Sequence, residues 1–206
     1  MRAGRKTEIV QNPSPVPRNP LWFALLALIR PGLLCQRMST AAELPSRALW
    51  FTGALLLLFA AMAHGLVLEL LRDPARGLFD PHTLGPVLRI MVLGGVALLV
   101  TGWLATRVSA LMGRNDYEER GLALAVMAAV PALAGFIFNP LALPWGRVVV
   151  AIGFAWALLV AWRAAGLLLG IPPGERAAFL IVIAVALTVA LVAIGWPVTA
   201  ILPGAW

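Results

Sequence analysis

The sequence predicts an all-α polytopic membrane protein: a five-transmembrane-helix bundle preceded by a short interfacial helix. Three observations predict it. Hydrophobic residues make up 61% of the chain and charged residues 12%, against roughly 25% charged residues in soluble domains. A soluble domain of this length could not hide that much apolar surface, so the solvent must be lipid. Runs of roughly 20 apolar residues recur, each long enough to cross about 30 Å of hydrocarbon. Short polar stretches rich in Pro and Gly separate them. The clearest unit is the hairpin from Arg147 to Pro203, in which two apolar runs flank Ile171-Pro-Pro-Gly-Glu-Arg176.

The net charge of +7 and pI near 11.4 would suggest nucleic acid in a soluble protein. Here the basic residues gather at the edges of apolar runs, where they set orientation and meet anionic headgroups. No basic stretch is interleaved with base-stacking aromatics, so a nucleic-acid partner is not expected. The single cysteine, Cys35, excludes an internal disulfide and any multi-cysteine metal site.

Residues 1–20 carry Arg2, Arg5, Lys6 and Arg18 among Pro13, Pro15, Pro17 and Pro20. Prolines at this density block helix and predict an extended basic linker. No apolar core follows the charges directly, so a cleavable signal peptide is not expected. Residues 21–46 form an amphipathic or interfacial segment. The run Leu21–Ile29 is too short to span, and Trp22 with Arg30 and Arg37 suits either the headgroup plane or packing against the bundle. Cys35 is expected to be an ordinary reduced thiol, with palmitoylation as the alternative.

Residues 47–206 hold the transmembrane domain, with spans at about 48–71, 87–106, 121–138, 148–170 and 177–196. The first contains His64, the imidazole at membrane depth. Intramembrane ionisable residues are functional candidates by default, so His64 is the one candidate for cofactor or proton binding. Neutral His also satisfies itself in helix–helix hydrogen bonds, and no second His or Cys lies on a span to share a metal or haem. Glu69, five residues on, points about 140° away around the helix. Residues 72–86 contain Asp73, Asp80, His82 and three breaker pairs and are read as a loop; turn chemistry explains them without a cation.

Gly94, Gly95 and Gly102 in the second span predict close helix contact. Pro131 in the third predicts a kink or break. Gly166-Leu-Leu-Leu-Gly170 is a GxxxG that serves bundle packing in preference to dimerisation. Arg163, near the end of its span, can snorkel. Pro197 and Pro203 are read as punctuating a short apolar tail. The loop Gly113–Arg120 is the most polar and resembles no catalytic set.

Five spans place the termini on opposite sides. Twelve Lys and Arg fall with the N-terminus and four (Arg72, Arg76, Arg89, Arg147) on the other side. The positive-inside rule therefore predicts a cytoplasmic N-terminus and an external C-terminus. Trp50, Trp103 and Trp162 then mark the inner interface, Trp145 and Trp196 the outer.

Two stretches carry a family likeness. Gly121-Leu-Ala-Leu-Ala-Val-Met-Ala-Ala-Val-Pro131 resembles the third span of Yip1-domain proteins, a small-residue helix with a mid-span proline. Trp162-Arg-Ala-Ala-Gly-Leu-Leu-Leu-Gly-Ile-Pro-Pro-Gly-Glu-Arg-Ala177 resembles their fourth-to-fifth turn, where a G-L-x-x-x-x-x-V-P-x-x-K-A-like run leads into a Val/Ile-rich last helix. The resemblance covers about 48–196 and implies the five-span architecture. Eukaryotic members of the family partner Rab-type GTPases in vesicle trafficking. The Asp-Leu-Tyr-Gly-Pro signature of those members is missing here, so a GTPase partner is not carried over. Fifteen Arg against one Lys, with much Ala and Leu, fit a bacterial inner-membrane protein from a GC-rich genome.

The function these features point to is non-enzymatic: lateral packing against other membrane proteins or further copies of the chain, as an accessory, assembly or scaffold subunit. The alternative is a component of a small-solute or ion transporter, for which His64 and Pro131 are the hints. Neither a nucleophile with a base nor clustered metal ligands occur in the spans. No catalytic residue, metal or cofactor is expected.

Overall fold

The computed structural model describes residues 16–17, 19–41, 44, 46–72, 81–114, 117–138 and 145–201. These form seven helices and, among the described residues, no strand: α1 (Pro20–Ile29), α2 (Pro31–Thr40), α3 (Ser46–Arg72), α4 (Pro81–Leu111), α5 (Glu118–Ile137), α6 (Trp145–Leu168) and α7 (Arg176–Ile201). The last five are long and apolar enough to cross a membrane, matching the five expected spans. This is a membrane protein.

Local chemistry sets the helix ends. Asn19 caps α1, its Oδ1 accepting from the Leu21 and Trp22 amides, and Pro20 occupies the first turn, where no N–H is needed. Pro31 disfavours a helical Arg30, which adopts φ −135° and ψ 59°. There the chain bends by 120° between α1 and α2. Gly113, at φ +68°, closes α4: the Gly113 and Arg114 amides donate to the carbonyls of Ala110 and Ser109, capping orphan acceptors in a Schellman motif.

Helix α5 is central. It packs against α1, α3, α4 and α6, and 56% of its span is buried, against 11% for α7. Helix α7 stands at the edge, on α4 and α6. Segment α1–α2 packs one face against the bundle and leaves Leu21, Trp22 and Ile29 exposed. Phe23, Leu26, Ala27, Leu34, Cys35 and Met38 are buried, α1 lying on α3 and α5 and α2 on α6. Trp156 Nε1 donates to the Leu28 carbonyl (3.0 Å), and Cys35 Sγ lies 3.9 Å from Met127 Sδ.

Lipid gives helices no hydrophobic drive to associate, so contact depends on backbones approaching closely. One close crossing joins α5 to α6. A Cβ added at Gly153 would lie 2.7 Å from the Pro131 carbonyl oxygen and 2.9 Å from Gly135 Cα. At the α4–α5 crossing, a Cβ on Gly102 would lie 3.2 Å from Leu122 Cα, and one on Gly121 would strike Thr106 and the Gly102 carbonyl.

Three expectations are corrected. Residues 81–86 are helical, not loop: Pro81 takes the first turn, and Pro86 costs α4 only a bond to a carbonyl one turn from the helix start. Of the kink or break expected at Pro131, the break is absent: α5 is continuous through it, with Gly153 against the Pro131 carbonyl. Helix α7 runs past Pro197 to Ile201 instead of ending at Trp196. Asp73, Asp80 and Pro203 lie outside the described residues.

Candidate functional site

The turns 112–117 and 169–175 meet at one end of the bundle. Arg114 pairs with Glu175 at 3.7 Å, and Arg120 donates to the Leu168 carbonyl at 3.3 Å. Arg107 lies over Trp103, Arg120 over Tyr117 and Arg176 over Trp162, at 5.2 to 5.9 Å from the ring centroids. Each guanidinium there adds a cation–π contact to an interfacial aromatic. We call this the arginine-rich end; Trp145 and Ile137 mark the other.

His64 is buried, and its ring stacks on Phe136 with centroids 4.6 Å apart and planes 17° from parallel. Its Nδ1 has no hydrogen-bond partner among the described residues. The sequence could not show this aromatic partner, 72 positions away. No three His, Cys, Asp or Glu side chains among the described residues come together to hold a metal ion.

Of the glycines expected to pack, Gly94 and Gly102 do. A Cβ at Gly94 would strike the Leu57 side chain, whereas at Gly95 it would make ordinary contact with Leu57 at 3.9 Å. Gly166 and Gly170 do not form a helix–helix face together. Gly166 faces the Arg176 guanidinium, which also donates to the Ile171 carbonyl at 2.9 Å. Gly170 sits beyond the end of α6 at φ +72°, serving chain reversal. The residues missed are Gly135, Gly121 and Gly153. A signal was there: Gly153, Ala157, Ala161 and Ala165 recur every fourth position and are all buried in α6.

Among the described residues, cavities open on the bundle at two places besides a smaller one under α1. The larger, about 490 Å³, lies among α3, α4, α5 and α7 beside Phe154 of α6. Ala125, Ala128, Ala129 and Ala132 form its floor, Leu187 and Leu191 of α7 one wall, and Thr101 is its polar member. That lining fits hydrocarbon or a small apolar helix face; it offers a hydrated ion nothing to replace its water. The second, about 300 Å³, lies at the arginine-rich end and is lined by Ser46, Trp50, Trp103, Thr106, Glu118 and Glu119 over Leu99, Gly102 and Leu122.

Cys35 is buried on α2, its Sγ beside Met127 in the middle of α5. A thiol packed in this way is closed to acylating and alkylating reagents.

One of the exposed apolar surfaces is the outer face of α7. Ile181, Val185, Val189 and Val192 are 59 to 68% exposed and lie along one helix edge. No family model, curated protein or solved structure matches this chain.

Proposed function

We propose that this chain is a non-enzymatic integral membrane protein of Yip1-like architecture that packs laterally against other membrane proteins, as an accessory, assembly or scaffold subunit. We place it in the bacterial inner membrane with its N-terminus in the cytoplasm, on the strength of the charge asymmetry. The observation that carries the reading is the exposed β-branched edge of α7, from Ile181 to Val192. In a helix, Val and Ile hold essentially one χ1 rotamer. Packing them against a second helix therefore costs little side-chain entropy, which matters where lipid supplies no hydrophobic drive. Leucines would face lipid equally well; a rigid edge is better suited to a fitted neighbour.

The test is a native pull-down with an N-terminal tag in mild detergent, comparing wild type with Val185→Leu/Val189→Leu. Both variants stay apolar and insert. A partner recovered in constant ratio with the wild type and lost with the variant supports the reading. A lone species in both preparations counts against it.

A further inference from the structure

The second cavity has a chemistry that neither the bundle nor lateral packing uses. Its mouth gathers Glu118 and Glu119 of α5, two of the nine acidic residues in a chain of net charge +7. Its sides are the indoles of Trp50 and Trp103, both partly exposed. Ser46 and Thr106 add hydroxyls, although Thr106 Oγ1 already donates to the Gly102 carbonyl at 3.0 Å. Gly102 lines the cavity where α4 crosses Leu122, and Leu99 and Leu122 line the part deeper in the bundle. On α4 the lining runs from Thr106 to Leu99, seven positions or about 10 Å along the axis, so the cavity leads from its polar residues toward the apolar middle of the bundle.

Carboxylates and indole faces together select a cation: the carboxylates by charge, the indoles by their quadrupoles. The Arg107 guanidinium lies over the ring of Trp103, one of the lining indoles, at 5.9 Å, and puts a positive charge beside the cavity for a phosphate. A ligand with an ammonium group, a phosphate a few atoms away and an apolar tail fits all three features. We propose that this cavity binds an amine-bearing zwitterionic phospholipid, its ammonium between Glu118, Glu119 and the two indoles, its phosphate toward Arg107 and one acyl chain along Leu99 and Leu122. A primary ammonium, with three N–H donors for two carboxylates, suits the mouth better than a quaternary one. An anionic headgroup would meet the carboxylates unfavourably.

The test uses the full chain in nanodiscs of phosphatidylglycerol carrying matched small fractions of phosphatidylethanolamine and phosphatidylcholine, with retained lipid read by native mass spectrometry. One phosphatidylethanolamine is expected to stay bound per chain, in preference to the other two. Glu118→Gln/Glu119→Gln, which removes two exposed charges from the first turn of α5, should lower that retention about tenfold with helicity unchanged. Trp103→Leu should lower it with helicity unchanged. Equal retention of the three lipids overturns the proposal, and so does a preference that survives the Glu variants. Displacement by soluble glycerophosphoethanolamine at equal concentration would assign the site to a free amine and overturn the lipid.

Discussion

At the scale of single residues, burial decides what the ionisable and reactive groups can do. Cys35 is fully buried against Met127 in the middle of α5. Maleimide must reach the sulfur to react, so N-ethylmaleimide should leave the folded protein unlabelled near neutral pH and label it once SDS unfolds it. Labelling of the folded protein at the unfolded rate would mean that the thiol is solvated in the fold. His64 shows the other side of burial: its sequence position marks it as a candidate, and the structure stacks its ring on Phe136 and leaves Nδ1 without a hydrogen-bond partner among the described residues.

At the scale of elements, the helices are held by backbone proximity, and the glycines can be ranked by what a methyl group would meet. At Gly153 it meets the Pro131 carbonyl and Gly135 Cα, backbone atoms that move only if α5 and α6 separate. Gly153→Ala should therefore destabilise the protein by about 1–3 kcal/mol. Gly166→Ala meets the mobile end of Arg176 and should cost less. Gly95→Ala makes ordinary contact with Leu57 and should be neutral or stabilising, since Ala is the better helix former by about 1 kcal/mol. Reversible SDS unfolding of the three variants checks the order; a Gly153→Ala protein as stable as wild type would remove this crossing as a source of stability. The spans were legible in the sequence because apolar run length is a one-dimensional property, and only their ends moved, at Pro81 and Pro197. The crossings were less legible. Gly94 and Gly102 were found by glycine content alone, but Gly153 and Gly135 lie on different spans, and which small residues meet is set by helix rotation. Gly170 was misread for a related reason: the GxxxG pattern does not say whether its second glycine is still helical. The cavity at Glu118 and Trp103 was likewise hidden, because its members come from three helices and the loop reading of Gly113–Arg120 treated the glutamates as solvated.

At the scale of the whole molecule, two independent features fix which turns share a side. The pair Arg114–Glu175 and the bond from Arg120 to the Leu168 carbonyl join the α4–α5 and α6–α7 connections. An exposed ion pair adds little stability, about 0–1 kcal/mol, but its geometry requires both turns at one end of the bundle. The charge count adds a direction: the end holding most of the arginines should face the cytoplasm. Single cysteines introduced in a Cys35→Ala background test both statements without altering any charge. Tyr117→Cys and Gly174→Cys place thiols at exposed positions of the two joined turns, and Trp145→Cys places one at the opposite end, where Trp145 is 74% exposed. With a membrane-impermeant maleimide, positions 117 and 174 should label only in inverted vesicles and position 145 only in intact cells. If 117 and 174 label from different sides, the helix order of the bundle is wrong. If all three patterns reverse together, the bundle stands and the orientation inferred from charge fails, so the two statements separate in one experiment.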